Sequence, residues 1–121
     1  MQESLGVGRT AEVGGRQVAV APPTIPIGPQ LRAAIANQRS ALGMLQAELG
    51  RPDRWGGPIS VETISKIETG WNKAARLTTL TTLLLRLDIP PDEVERLDDG
   101  YRPLTARMRR MNQRNDAPLG T

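Results

Sequence analysis

The reactive side chains of this chain are limited to carboxylates, amines, guanidinium groups and hydroxyls, because its 121 residues include no Cys and no His. The usual nucleophiles, general bases and zinc ligands are therefore missing. Catalysis by carboxylates alone stays chemically open, but no pair of acidic residues stands apart from the surface charges. We therefore expect no enzyme, no metal ion and no other cofactor, and no disulfide can form.

The positive charge is concentrated at the C-terminal end of the chain. The net charge is +3, and residues 101–121 contain five Arg and one acid, Asp116, whereas residues 71–100 are net acidic. A basic patch on a small protein is compatible with binding to nucleic acid. Basic tails are common, however, so this feature alone is weak support for such a function.

One short segment has all the signals of a capped helix. Ser60 suits the N-cap, Ile64 and Ile67 are spaced for one buried face, and Gly70 suits the position that ends a helix. This pattern predicts a helix over residues 60–69. The predicted exposed face carries Val61, Glu62, Ser65, Lys66 and Thr69.

Further short helices are predicted on both sides of this segment. Apolar spacing indicates helices from Gln30 to about Ser40 and over residues 77–87. Shorter helices are predicted from Gln46 to about residue 50 and, from Pro and acids in the first turn, over residues 91–97. The core must be mostly aliphatic, since Phe is absent and Trp and Tyr are rare. Five short helices over residues 30–100 are typical of a helix-turn-helix DNA-binding domain. The predicted fold class is all-α, a five-helix bundle.

The second and third predicted helices are joined by a Pro- and Gly-rich loop, PDRWGGP at residues 52–58. Pro52 cannot lie inside the second helix without breaking it. Trp55 either anchors this loop on the core or faces a ligand. The anchor is favoured, because a buried indole removes a large apolar area from water.

The two ends of the chain differ from the predicted domain. Residues 1–29 are rich in Gly and Pro and predict a flexible arm, although residues 16–21 alternate enough for a short strand. Such an arm could lie along a partner or in a DNA groove, with Arg9 and Arg16 as its charges. Residues 101–121 predict a basic tail, for which an amphipathic helix over residues 104–111 and a solvated segment are both open.

Nothing in the sequence indicates a membrane or an export signal. No run of 18 apolar residues is present, and the N-terminal residues lack a basic and then apolar pattern. We therefore expect a cytoplasmic protein that does not enter membranes.

The segment LGMLQAEL at residues 42–49, followed by Ser60-x-x-Thr-Ile-Ser-Lys-Ile-Glu-x-Gly70, resembles the Xre family of Cro and phage-repressor type. The resemblance covers residues 30–97 and implies a helix-turn-helix whose third helix enters the major groove. It also implies a salt bridge between Arg39 and Glu68 that joins the first and third helices as part of the scaffold.

The same resemblance implies a contact with DNA for each matching residue. Val61, Glu62 and Lys66 match positions that face base edges, where a thymine methyl, cytosine N4 and guanine O6 or N7 would suit them in turn. Without the resemblance, a solvated Glu62–Lys66 pair is the simpler interpretation. The remaining matches are implied to cap the helix or to contact phosphates and the DNA backbone: Gln46, Ser60, Thr63, Asn72, Lys73, Arg76.

The chain departs from the family pattern in its second helix and in the loop that follows it. Leu45 replaces the usual Ser or Thr cap before Gln46. The segment from Leu49 to Thr63 is longer than in the family, with the extra residues in PDRWGGP. Two arginines of this longer loop could contact phosphate: Arg51 and Arg54.

These features predict a sequence-specific DNA-binding transcriptional regulator, a repressor of phage or bacterial type, acting as a homodimer on double-stranded DNA. Candidate dimer surfaces are the fifth predicted helix with Leu97 and Tyr101, and residues 104–111. The alternative is an antitoxin or another protein-binding partner built on the same fold, with the arm or the tail as its binding segment.

Overall fold

The computed structural model describes residues 23–116, with side chains described as far as residue 114. Over this range the chain is mostly helical, with one small two-stranded sheet. The elements in chain order are β1 (Thr24–Pro26), α1 (Pro29–Ala41), α2 (Gln46–Leu49), α3 (Val61–Thr69), β2 (Ala74–Arg76), α4 (Leu77–Arg86), α5 (Pro91–Leu97), a 3₁₀ turn (Asp99–Tyr101) and α6 (Arg102–Asp116). None of the helices within residues 23–116 is both long enough and apolar enough to span a membrane.

Helix α4 lies at the centre of the domain, with Leu at five of its ten positions and residues 80–85 all buried. Leu80, Leu83 and Leu84 are completely buried, so the helix is covered on several sides and not along a single stripe. Thr81 is also buried and donates its hydroxyl proton to the Leu77 carbonyl (2.7 Å). This bond inside the helix satisfies a polar group that would otherwise be costly to bury.

The residues just before α1 belong to the folded domain, although the sequence predicts an arm up to residue 29. Strand β1 pairs antiparallel with β2, with Ile25 opposite Ala75, and both Ile25 and Ile27 are buried. The Ile27 N–H donates to the Lys73 carbonyl (2.8 Å). The arm prediction is therefore wrong for residues 24–28, and the strand considered at residues 16–21 lies outside the described range.

The predicted basic tail contains a sixth helix, so the prediction of five helices is one too few for the described residues. Leu104 and Met108 of α6 are completely buried. Arg109 forms ion pairs with Asp92 (2.7 Å) and Glu95 of α5. Of the two interpretations left open for residues 104–111, the amphipathic helix is therefore correct, and its apolar face packs inside this chain.

Two residues considered for a dimer surface are also internal. Tyr101 is buried, and its hydroxyl oxygen accepts the Gly28 N–H (3.0 Å). Leu104 lies in the same core. Of the two apolar residues named for the first candidate surface, Leu97, which is half-buried against the core, stays accessible.

Candidate functional site

Helix α3 is fixed at both ends by local contacts. The Ser60 hydroxyl oxygen accepts the Thr63 N–H (3.1 Å), and the Ser60 hydroxyl donates to the Thr63 hydroxyl (2.9 Å). At the other end, Gly70 adopts a left-handed backbone (φ 87°), which favours Gly over every residue that has a Cβ. The cap, the helix and its end are therefore confirmed.

The two faces of α3 differ as the apolar spacing predicts. Ile64 and Ile67 are completely buried, whereas Val61 is exposed. The Lys66 ammonium lies 3.0 Å from the exposed Glu62 carboxylate. Because an exposed pair at this spacing contributes only about 0.3–0.5 kcal/mol, a partner with better hydrogen bonds could separate these two side chains.

One carboxylate joins the first three helices. Arg39 of α1 binds Glu68 of α3 through two hydrogen bonds, Nε to Oε2 (2.6 Å) and Nη2 to Oε1 (2.8 Å). Gln46 of α2 donates its amide proton to Glu68 Oε1 (3.2 Å). The ion pair implied by the resemblance is thus present, and Gln46 braces α3 from within the protein.

The ionisation of Glu68 follows from these contacts. Burial alone would raise the pKa of Glu68, but the hydrogen bonds from Arg39 and Gln46 and the Arg39 charge outweigh it, so the pKa lies below the ordinary value. The carboxylate is therefore charged at neutral pH and holds α3 in place. This bidentate pair is the strong kind of ion pair, since its two hydrogen bonds fix direction as well as distance.

The long loop between α2 and α3 closes on itself. The Ile59 N–H donates to the Gly50 carbonyl (2.9 Å), and a Cβ placed on Gly50 would collide with the Ile59 carbonyl oxygen. Only Gly fits at residue 50 without movement of the backbone. Because the ends of the loop meet, the extra residues do not separate α2 from α3.

The interior of this loop is held by Arg86 of α4, whose side chain is 4% exposed. Its Nε donates to Asp53 Oδ1 (2.9 Å), and its two terminal nitrogens donate to the carbonyls of Leu49 (3.1 Å), Gly56 (2.8 Å) and Gly57 (2.7 Å). These four acceptors replace the water that the buried guanidinium loses. The sequence gives no local signal for this contact, because Arg86 reads as an ordinary basic residue at a helix end.

Trp55 is the anchor of the loop, as the favoured interpretation predicts. Its side chain is only 8% exposed and belongs to the hydrophobic core. The Arg54 guanidinium lies 4.5 Å from the centre of the Trp55 ring, an attractive cation–π contact. Arg51 is exposed and forms no ion pair with any described residue, so the two predicted loop arginines have different surroundings.

The segment after α3 points a second indole into solvent. Trp71 directly follows Gly70 and is 80% exposed. The Asn72 N–H donates to the Lys66 carbonyl (3.0 Å), which fixes the backbone on the far side of Trp71. Sequence reasoning missed Trp71, although its place immediately after the terminal Gly was a usable signal.

Basic residues surround this exposed end of α3. Lys73 and Arg76 are exposed and form no ion pair within the described residues. Arg32 of α1 places its guanidinium beside Gly70, 3.4 Å from where a Cβ would stand. Arg32 was also missed, because its position relative to α3 depends on how α1 packs. Exposed positive charge without an ion pair among the described residues therefore lies on the segment that follows α3, and one further guanidinium lies beside Gly70.

The described residues contain no group of three or more acidic side chains placed to hold a metal ion. The carboxylates near α3 are instead engaged with basic partners, Glu62 with Lys66 and Glu68 with Arg39. What the site offers a partner is therefore one helix face with positive charge around it.

Comparison with known proteins returns no match: no family model fits the chain, and no curated protein and no solved structure is significantly similar to it. What the site does is therefore inferred from its own geometry and from the residues that carry the resemblance at positions 42–70.

Proposed function

We propose that this protein is a sequence-specific, double-stranded DNA-binding transcriptional regulator of repressor type, in which α2, the closed loop and α3 form a helix-turn-helix. The observation that supports it best is the exposed face of α3. This face carries Val61, Glu62 and Lys66 on a helix whose opposite side is buried and whose orientation is fixed by Glu68. A helix held in this way can present side chains to base edges in the major groove.

Base readout is assigned to three residues of α3. Lys66 donates to guanine O6 or N7, Glu62 accepts from cytosine N4, and Val61 packs on a thymine methyl group. The Glu62–Lys66 pair opens when each side chain meets its base. Because the pair is exposed and weak, separating it costs little of the binding free energy.

Phosphate contacts are assigned to residues around the readout face. Lys73 and Arg76 are exposed on the segment after α3, and Arg51 is exposed on the closed loop. These contacts set position and contribute affinity that falls with salt, but they do not distinguish sequences. Further contacts of this kind are assigned to Gln46, Ser60, Thr63, Asn72 and Arg54.

Arg54 and Gln46 have competing contacts inside the protein. The Arg54 guanidinium rests on Trp55, and the Gln46 amide donates to Glu68. Each retains donors beyond those it uses here, so a phosphate contact and the internal contact can coexist. We expect both residues to contribute less to affinity than Lys73 or Arg76.

The regulator is proposed to act as a homodimer, because a single module this small makes few base contacts. Two copies would bind half-sites about one helical turn apart on a two-fold operator. Leu97 offers an accessible apolar side chain for the dimer contact. It lies in a groove with Ala34, Ile89 and Val94, on the side of the domain formed by α1 and α5.

The test is a comparison of base preference among point variants. Lys66→Ala and Glu62→Ala should each relax the preference at one position of the site, at a cost of about 1–3 kcal/mol for the preferred base. Arg76→Ala should instead weaken all duplexes equally and lower the salt slope by about one. If all three variants lose affinity without any change of base preference, α3 does not read the sequence.

A second function, binding of a protein partner as an antitoxin does, is favoured by one observation. Leu42 and Leu45, at the turn between α1 and α2, are both exposed, Leu45 to 66%. This patch is more apolar than a phosphate-binding surface needs to be. Leu45→Ser, which removes the apolar side chain without adding charge, should then abolish capture of a protein partner while leaving affinity for DNA within about twofold of the unmodified chain.

A further inference from the structure

The backbone on both sides of Trp71 holds its side chain in solvent. It is the most exposed of the large apolar side chains that the structure describes. Gly70 turns the chain outwards with its left-handed backbone, and the Asn72 N–H is bound to the Lys66 carbonyl. The carbonyl of Lys73, two residues after Trp71, accepts the Ile27 N–H. The indole is thus presented from a backbone that is fixed on both sides, at little entropic cost to a partner.

The indole forms one wall of an open groove along α3. The groove has a volume of about 480 Å³ and is also lined by Glu62, Ser65, Lys66 and Thr69. These are residues of the exposed face that is proposed to meet DNA. Trp71 therefore extends that face beyond the end of the helix and adds an apolar surface to it.

The charges near the groove indicate which kind of partner it can bind. Lys73 and Arg76 follow Trp71, exposed and without an ion pair among the described residues, whereas Lys66 and Glu62 compensate each other inside the groove. A partner that satisfies both the cations and the indole must be anionic and must also expose apolar surface. The sugar–phosphate backbone of duplex DNA has both properties, since each phosphate adjoins a deoxyribose ring.

Distance along α3 decides which part of the DNA the indole meets. The helix has nine residues and is about 13 Å long, and the residues assigned to base readout lie within its first six positions. Trp71 lies beyond the opposite end, at the wall of the groove. We propose that Trp71 packs its ring on a deoxyribose and donates its indole N–H to the adjacent phosphate. This inference rests on the proposed function and assigns to Trp71 a contact that does not depend on sequence or on ionic charge.

The test measures the affinity of Trp71→Ala for its selected duplex and for a random duplex over a range of salt concentrations. We expect a loss of about tenfold for both duplexes, as an apolar contact and one hydrogen bond disappear. The salt slope should stay unchanged, because no charge is removed, whereas Arg76→Ala lowers it by about one. Trp71→Phe, which retains a ring but no N–H, should show an intermediate loss.

Leu42→Ala is the matched control, because it also truncates an exposed apolar residue but lies away from the groove. It should bind both duplexes as the unmodified chain does. Trp71→Ala binding like the unmodified chain would overturn the inference and leave the proposed function intact, and the indole would then face another partner such as a protein. A change of base preference in Trp71→Ala would also overturn it. Failure of the unmodified chain to bind any duplex would overturn both.

Discussion

The segments that flank α3 each carry one tryptophan, and the two indoles have opposite surroundings. Trp55, in the loop before the helix, is 8% exposed, whereas Trp71, just after the helix, is 80% exposed. The first loop is held against the core by Arg86, which donates to two of its carbonyl oxygens, to its Asp53 carboxylate and to the last carbonyl of α2. The second segment is turned outwards by Gly70, and its Lys73 carbonyl is bound on the far side by the N–H of Ile27, the residue after β1.

The difference teaches that residue type alone does not separate a structural tryptophan from a functional one. The burial of each indole is decided by the surrounding backbone, which is held towards the core at Trp55 and away from it at Trp71. Burial of Trp55 stabilises the domain, and exposure of Trp71 keeps apolar area in water that a partner can cover. The following variants test this contrast, in order of decreasing expected effect.

Trp55→Ala should destabilise the domain by about 3–5 kcal/mol, because it leaves a large cavity in the core. Trp71→Ala should change the free energy of unfolding by no more than about 0.5 kcal/mol, as is usual at exposed positions. Denaturant unfolding of both variants measures the difference. Similar losses of stability from the two substitutions would contradict the contrast between a buried Trp55 and an exposed Trp71.

Arg86→Met should cost about 2–4 kcal/mol, because the loop carbonyls lose a buried donor and Asp53 loses its ion pair. The emission of Trp55 should also move to longer wavelength as the loop loosens and water reaches the indole. Arg96→Met is the matched control, since Arg96 is exposed and forms no ion pair within the described residues. A stable Arg86→Met variant with unchanged emission would show that Trp55 is held without Arg86.

Glu68→Gln should lower stability by about 1–3 kcal/mol at neutral pH, because charged hydrogen bonds from Arg39 become neutral ones. The pKa of Glu68 is lowered in the folded state, so this contribution is present above the ordinary carboxylate pKa. It should be lost as pH falls through the lowered value. Stability of the variant and of the unmodified chain, measured against pH, should therefore converge in acid. A constant difference at every pH would contradict the assignment.

The smallest effect is expected far from both tryptophans, at the contact between α5 and α6. Hydrogen bonds from Arg109 and Thr105 lower the pKa of Glu95 from 4.5 to about 2. The stabilisation from Glu95 should therefore be complete above pH 4.5 and lost as pH falls towards 2. Glu95→Gln should flatten the pH dependence of stability in that interval and leave the exposure of Trp71 unchanged. An unaltered pH dependence would show that Glu95 is not perturbed by this contact.

The sequence predicts the parts of this molecule that depend on neighbours along the chain. Ser60, Ile64, Ile67 and Gly70 define α3 by local rules of capping and spacing, and all four behave as expected. The spacing of Leu in α4 likewise predicts its burial. These signals suffice to locate the exposed face from which the proposed function is argued.

The parts that sequence reasoning missed depend on contacts between distant residues. Strand β1 has only three residues and is formed by pairing with β2, with Thr24 opposite Arg76. Arg86 reaches a loop about 30 positions earlier. The apolar face of α6 could be recognised, but the sequence does not show that α4 and α5 cover it. Strand pairing and packing between residues so far apart produce no local sequence pattern from which they could be predicted.

The central claim is that α3 reads base sequence in duplex DNA, and selection of bound duplexes from a random pool tests it most directly. We expect enrichment of one motif with two-fold symmetric half-sites about one helical turn apart. A parallel selection with Lys66→Ala should retain the motif except at one position in each half-site. Duplexes recovered without any shared motif, or a motif identical for the two proteins at every position, would contradict it.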